Sequence, residues 1–249
     1  LRRSLRIQNF GPQSHVVMDG RRTGLAFAIE SETPIFGQLG AGGDIVRLIG
    51  TNPDQPGVSL LGLGDGGDYF EDRRLISTAL NLNGNGGNDT IFGSAQDDVI
   101  NGGRGSDRLQ GNGGNDLLSG DRGHDHLLGN SGNDQLTGGN GHDVLQGGRG
   151  NDILLGGSGN DILFGELGDD LMAGGVGRDQ FVVMPGSGND TIVDFDPAND
   201  AIALTGGLTV ANVQISAVDS TTSRVQFAGG SVTLNNLPIA VINPGTLFS

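Results

Sequence analysis

The chain has 249 residues, of which 48 are glycine and only 4% are aromatic, and it has neither tryptophan nor cysteine. This composition excludes a thick core of large side chains, disulfide bridges and thiolate metal sites. Its 14 basic side chains are all arginine and stand against 29 acidic residues. The resulting net charge of −15 argues against a nucleic-acid partner and favours bound cations.

Residues 1–83 are predicted to form an N-terminal segment with degenerate repeats of a β-solenoid. The stretches 40–46 and 64–70 each contain Gly-Gly-Asp followed by apolar residues, so the solenoid is expected to begin before Gly84. Residues 1–35 show only a mixed pattern. The basic start is not followed by an apolar run and a small-residue cleavage site, so we expect no Sec signal there. No apolar run reaches the length of a membrane span.

Residues 84–182 divide into eleven consecutive nonapeptides without an insertion or deletion. Position 1 is always Gly, position 4 is Gly except at Gln96, position 6 is always Asp, and position 8 is always apolar. Glycines permit positive φ and leave carbonyls accessible, while Asp adds the hard oxygen ligand that Ca²⁺ prefers. The pattern predicts a six-residue turn followed by a three-residue strand, with one side chain in nine, at position 8, facing inward.

These segments read G-G-x-G-x-D-x-U-x, where U is apolar, and they resemble the calcium-binding repeat of the RTX, or hemolysin-type, family. The resemblance implies an all-β fold, a right-handed parallel β-roll with two nonapeptides per turn. It also implies Ca²⁺ ions between turns 18 residues apart, held by backbone carbonyls and by the position-6 Asp side chains of both turns.

Carried onto this chain, the resemblance gives two rows of candidate ligands. The first row is Asp89, Asp107, Asp125, Asp143, Asp161 and Asp179. The second row is Asp98, Asp116, Asp134, Asp152 and Asp170. Asp190, which lies 11 residues after Asp179, closes one more gap. Successive members bracket one ion each, which implies about nine Ca²⁺ ions with oxygen-only ligation. Eleven inward side chains are too few to offset the entropy of ordering this segment, so folding is expected to require calcium.

Residues 183–249 resemble the C-terminal β cap of secreted RTX proteins. Strands are predicted at 213–218, 224–227 and 232–234, with Gly229-Gly230 as a hairpin turn. In that family this region also carries a type I secretion signal. The resemblance therefore implies a bacterial protein that is secreted and lies outside the cell or at its surface.

Other candidate chemistry is weak. His124, His126 and His142 fall at positions 5, 7 and 5 of their repeats and are interpreted as surface histidines. The sequence has no H-E-x-x-H and no G-x-S-x-G motif, so no enzyme is expected.

Three functions remain open. The favoured one is an extracellular structural protein of a surface layer, sheath, matrix or filament, whose partners are Ca²⁺ and either further copies of itself or cell-surface and matrix components. Residues 1–83 are the expected contact for self-association. The alternatives are a module of a larger secreted enzyme or adhesin, and a carbohydrate-binding module.

Overall fold

The computed structural model describes residues 8–10, 13–15, 23–27, 35–38, 43–48, 58–72, 79–237 and 247–248. Within these ranges the chain is almost entirely β-structure, with one 3-10 turn at Val210–Asn212. No helix of the described part is long and apolar enough to cross a membrane. The strands are β1 Gln8–Phe10, β2 Gln13–His15, β3 Thr23–Phe27, β4 Ile35–Gln38, β5 Asp44–Leu48, β6 Val58–Gly62, β7 Tyr69–Asp72, β8 Asn81–Gly86, β9 Thr90–Phe92, β10 Val99–Arg104, β11 Arg108–Gly113, β12 Leu117–Arg122, β13 His126–Ser131, β14 Gln135–Asn140, β15 Val144–Arg149, β16 Ile153–Ser158, β17 Ile162–Leu167, β18 Leu171–Val176, β19 Gln180–Val183, β20 Gly188–Ile192, β21 Ala201–Leu204, β22 Gln214–Ala217, β23 Ser223–Phe227 and β24 Gly230–Leu234.

From β2 to β21, successive strands alternate between two sheets, in each of which they pair in parallel. A fourteen-stranded sheet has the order β1-β2-β4-β6-β8-β10-β12-β14-β16-β18-β20-β24-β23-β22, and a ten-stranded sheet has the order β21-β19-β17-β15-β13-β11-β9-β7-β5-β3. β3 to β7 pair in parallel with later strands, so the parallel strands of the two sheets begin before Gly84.

The register of the repeats is constant along the roll. Ile100 is paired with Leu118, and Leu118 is paired with Leu136. Neighbouring strands of one sheet are therefore 18 residues apart, which confirms two nonapeptides per turn and a parallel β-roll.

The strands are longer than the sequence predicted. β12 covers six residues, and only Gly123 to Asp125 connect it to β13, so the expected six-residue turn and three-residue strand were wrong. Positions 2 and 3 stay in the ladder, because Asp121 pairs with Gly139 and Arg122 with Asn140. Asp121 has a φ of 70° and Gly139 a φ of 111°, so the strand bends at position 2 without ending.

Three positions in nine face inward, and not one. Position 8 forms a continuous core from Ile91 to Phe181 with side chains at most 1% exposed. Position 1, always glycine, and position 6, always aspartate, are buried as well. The sequence missed these positions because glycine has no side chain to pack and aspartate is normally a surface residue.

The C-terminal region ends the fourteen-stranded sheet with antiparallel strands. β24 pairs in parallel with β20, β23 runs antiparallel to β24, and β22 runs antiparallel to β23. The three strands overlap the predicted ranges, but the predicted turn at Gly229-Gly230 was wrong by one residue. Gly230 pairs with Phe227 and begins β24, so Ala228 and Gly229 form the turn. Residues 238–246 and 249, which belong to the region 183–249 predicted to carry the secretion signal, lie outside the described ranges.

Candidate metal centre

The position-6 aspartates form two continuous hydrogen-bonded rows along the roll. Each carboxylate accepts, at Oδ1, the backbone N–H of the residue one turn earlier in the same row. The N–H of Asp116 donates to Asp134 Oδ1 at 2.8 Å, and the N–H of Asp134 donates to Asp152 Oδ1 at 2.8 Å. The same contact recurs throughout both rows at 2.6 to 3.2 Å. The eleven aspartates of the nonapeptides therefore lie in the two rows that the sequence assigned, and the structure places Asp190 at the end of the second row.

The second carboxylate oxygen has no comparable partner in ten of the eleven repeats. Every row aspartate is at most 2% exposed. The buried Oδ2 atoms that accept no hydrogen bond belong to Asp89, Asp107, Asp116, Asp125, Asp134, Asp143, Asp152, Asp161, Asp170 and Asp179. A buried carboxylate oxygen without a donor is costly, and a cation is the group that would satisfy a row of them.

These oxygens converge with backbone carbonyls where position 1 lacks a side chain. A Cβ placed on Gly138 would lie 2.5 Å from Asp143 Oδ2 and 2.6 Å from the carbonyl oxygen of Gly156, one turn later. A Cβ on Gly156 would likewise lie 2.5 Å from Asp161 Oδ2 and 2.6 Å from the Gly174 carbonyl. Glycine at position 1 thus leaves room for oxygen donors from two successive turns. This oxygen-only donor set fits Ca²⁺.

The electrostatics of the rows also favour a bound cation. Burial raises the pKa of Asp107, Asp116, Asp152 and Asp170 to about 7, and repulsion from neighbouring carboxylates adds to the rise. Burial raises the pKa of Asp89, Asp125, Asp143, Asp161 and Asp190 to about 6. In each case the hydrogen bond from the backbone opposes the rise without cancelling it. Without a bound cation, ionisation of the row carboxyl groups is therefore unfavourable.

Asp98 differs from the other ten aspartates of the nonapeptides, whose Oδ2 atoms accept no hydrogen bond. Ser94 stands at position 2 of its repeat and donates its backbone N–H to Asp98 Oδ2 at 2.5 Å and its hydroxyl to Oδ1 at 3.0 Å. Gln96 replaces the glycine of position 4 in the same repeat. The protein itself thus supplies a donor to the carboxylate oxygen that has none in the other ten nonapeptides.

The first row extends beyond the nonapeptides at both ends. The N–H of Asp68 donates to Asp89 Oδ1 at 2.7 Å, and the N–H of Asp179 donates to Asp200 Oδ1 at 3.0 Å. Asp68 and Asp200 are 3% and 6% exposed. The sequence search missed both as site residues because their spacings of 21 residues break the nine-residue period. The Gly-Gly-Asp of residues 66–68 was the available signal for one of them.

No group of three or more His, Asp or Glu side chains suited to hold a metal occurs in the described part of the chain. A metal in the rows therefore needs backbone oxygens. The His124 and His142 rings stack at 5.0 Å, and each accepts a backbone N–H one turn later, from His142 at 2.8 Å and from Asn160 at 2.7 Å. His126 lies 3.2 Å from Arg108. These contacts give the histidines a structural role on the roll's surface.

Comparison with protein families identifies the repeat. The model of the RTX calcium-binding nonapeptide repeat matches residues 81–109, 110–145 and 146–181. No protein with a curated description matches the chain.

Among solved structures, the chain is similar to the extracellular lipase LipA from Serratia marcescens, with 17% identity and a TM-score of 0.31. That alignment covers 69% of this chain and 42% of the lipase, so the chain spans less than half of the lipase's length. It is also similar to the AlgE6R3 subunit of the Azotobacter vinelandii mannuronan C5-epimerase, with 19% identity and a TM-score of 0.28. Here the alignment covers 70% of this chain and 79% of the subunit.

Proposed function

Because the chain belongs to the RTX calcium-binding repeat family through its residues 81–181, we propose that it is a secreted structural protein that folds when it binds Ca²⁺. Ions would lie between successive members of each aspartate row. When bound, they would neutralise buried carboxylates and join adjacent turns. We assign no catalytic role to the described residues.

The observation that carries this proposal is the set of buried Oδ2 atoms without hydrogen-bond donors. A folded roll without a cation has to bury ten carboxylate oxygens that accept no hydrogen bond. They lie in two rows, and the pKa of their carboxyl groups is raised. Such a roll is expected to be unstable near neutral pH, because neither a donor nor a counter-charge compensates the lost hydration. Binding of Ca²⁺ and folding are therefore expected to occur together.

The two rows also allow an estimate of how many Ca²⁺ ions the roll binds. Gaps between consecutive aspartates of the eleven nonapeptides suggest about nine ions. The hydrogen bonds from Ser94 to Asp98 are expected to lower the calcium affinity of the gap between Asp98 and Asp116. Asp190 and Asp200 continue the two rows and would offer one further gap each. Calcium binding in these two gaps is also expected to be weaker, because Asp190 Oδ2 accepts the Ser187 hydroxyl at 3.2 Å and Asp200 Oδ2 accepts the Asp196 N–H at 2.8 Å.

We further propose that the folded roll associates with other copies in a surface layer, sheath, matrix or filament. An apolar row on the outer face of the fourteen-stranded sheet supports this step. Val99, Leu117, Ile153 and Leu171 occupy position 7 of alternate repeats and are 38 to 42% exposed. The predicted contact through residues 1–83 falls largely outside the described residues, and so it stays a prediction. Export by a type I system, which the family resemblance implies, also stays a prediction.

A calcium titration of the full chain tests the central proposal. Metal-free protein should show little β-structure by circular dichroism and should gain it cooperatively as Ca²⁺ is added, with a midpoint of about 10⁻⁴ to 10⁻³ M as in extracellular modules. EGTA should reverse the change.

Mg²⁺ is the matched control, since it has the same charge but demands a small octahedral site and retains its waters. It should not replace Ca²⁺ at equal concentration. A β-rich spectrum that is the same in EGTA and in Ca²⁺, on protein verified to be metal-free, would disprove calcium-dependent folding.

A further inference from the structure

A polar groove of about 600 Å³ runs along the outer face of the fourteen-stranded sheet, across β8, β10, β12 and β14. It is separate from the aspartate rows, which face inward. Gly103 and Gly139 lie among its lining residues, and neither has a side chain to fill it. The groove is open along the roll, so it suits an extended molecule better than a compact one.

The repeat itself produces the groove. Position 2 has a positive φ in this region, with values of 104° at Gly103 and 111° at Gly139. Positions 9 and 3 lie on either side of that bend. Because each position is in register with the same position one turn later, the bends line up and form a trough across the strands.

One side of the groove carries two arginines in register. Arg104 of β10 is paired with Arg122 of β12, and both are exposed. Neither guanidinium forms a salt bridge or hydrogen bond with another residue of the described part of the chain. Neighbouring strands are about 4.8 Å apart, so the backbones of Arg104 and Arg122 place two unpaired positive side chains on adjacent strands of a chain whose net charge is −15.

The other lining groups are amides and one carboxylate. Asn83, Asn85, Asn101 and Asn140 supply both donors and acceptors. The carboxylate of Asp121 accepts the Asn101 side-chain N–H at 2.9 Å and the Ser119 hydroxyl at 2.8 Å. These hydrogen bonds hold the Asp121 side chain in place, and with two arginines and one aspartate the lining has a net charge of +1.

We propose that this groove binds a strand of an acidic polysaccharide. Arginine binds carboxylates through paired N–H donors, and asparagine amides suit sugar hydroxyls. No aromatic or large apolar side chain lines the groove, which disfavours a peptide with apolar anchors. A polyphosphate chain is disfavoured because it has no hydroxyl groups for the asparagine amides of the lining. The inference goes beyond calcium-dependent folding, although the groove exists only in the folded roll.

The test measures binding of a galacturonic acid hexasaccharide by isothermal titration calorimetry, with maltohexaose as the neutral sugar of equal length. Both are titrated into the full chain at saturating Ca²⁺, held equal in cell and syringe. The acidic sugar should bind and the neutral sugar should not. Raising the salt concentration should weaken binding, because the contact rests on exposed charges.

The variant is Arg104→Ala combined with Arg122→Ala. Each lost charged hydrogen-bonding group should weaken binding on the order of tenfold. Arg149→Ala is the matched control, because Arg149 holds position 3 in β15, on the ten-stranded sheet. That substitution should leave the affinity unchanged.

Circular dichroism during a calcium titration shows separately whether each variant still folds. If the wild type folds with calcium and yet does not bind the acidic sugar, the groove assignment fails while the proposed function stands. It also fails if the double variant binds as well as the wild type, since the sugar would then be held through calcium or another surface. Equal losses in the double variant and in Arg149→Ala would overturn it too.

Discussion

Replacing Asp134 with asparagine separates calcium ligation from hydrogen bonding at one point of the second row. The substitution keeps the shape of the side chain and an Oδ1 that accepts the Asp116 N–H. It replaces the donor-free Oδ2 with an NH₂ group, which cannot ligate a cation. Asp98→Asn is the matched control, because Asp98 Oδ2 already accepts the Ser94 N–H at 2.5 Å.

The expected size of the effect follows from the position of each residue in its row. Asp134 borders two gaps, toward Asp116 and toward Asp152. Each saturated site adds about 1.4 kcal/mol to the unfolding free energy for a tenfold rise in free Ca²⁺. Loss of both sites should therefore reduce this gain by about 2.8 kcal/mol. Asp98→Asn should instead cost about 1 to 3 kcal/mol through its hydrogen bonds, at either calcium concentration.

Urea unfolding at two saturating calcium concentrations, tenfold apart, measures these quantities directly. The wild type, Asp134→Asn and Asp98→Asn should differ in how much stability they gain between the two concentrations. Asp134→Asn should show the smallest gain, and Asp98→Asn should lie closer to the wild type. Equal reductions in the two variants would refute the argument that Ser94 replaces a metal contact at Asp98. No reduction in either would refute the row assignment.

Two further predictions concern pH and association. Without calcium, the raised pKa of the row carboxylates means that the folded roll binds protons more tightly than the unfolded chain does. Its stability should thus be highest below pH of about 4 and should fall as the pH rises through 6 to 7, whereas calcium binding should weaken on acidification. Circular dichroism of metal-free protein from pH 4 to 8 measures this, and β-structure that increases with pH would contradict it. Light scattering in millimolar Ca²⁺ should detect association of the wild type, and the double variant Leu117→Gln, Ile153→Gln should associate less. Glutamine is tolerated in this outward row, because Gln135 already occupies it between Leu117 and Ile153. A wild type that stays monomeric at high protein concentration would exclude this association.

The sequence could predict the roll and its two rows because three fixed chemistries recur every nine residues. Glycine at position 1, aspartate at position 6 and an apolar residue at position 8 specify one register, and the structure has that register. The sequence could not predict the length of the strands. That length depends on whether positions 2 and 3 pair with the next turn, and both glycine and residues such as Asp121 adopt the required positive φ there.

Other features depended on contacts between residues far apart in the sequence. Asp68 and Asp200 join the first row only because the irregular turns beside the repeats still place them one turn away from Asp89 and Asp179. The contacts of Ser94 with Asp98 are local in the sequence. Their effect on a metal site is apparent only from the structure, in which the Oδ2 atoms of the other ten repeat aspartates accept no hydrogen bond. The groove with Arg104 and Arg122 depends on the register that pairs these residues on neighbouring strands. The nine-residue period alone does not show that position 3 lies on the outer surface.

The division between inner and outer positions explains how one repeat can hold both a constant fold and a variable surface. Inside the roll, position 1 has no room for a side chain and position 6 has to supply a carboxylate, so neither tolerates another residue without loss of the donor set. Outside, position 9 carries Asn101 and Ser119 in one half of the fourteen-stranded sheet and Leu155 and Ala173 in the other, on the same backbone. The inner chemistry thus fixes the strands in place, and the outer side chains can make one stretch polar and another apolar without altering the roll. Calcium-dependent folding and recognition of a partner are therefore expected to depend on separate sets of residues, which single substitutions can distinguish.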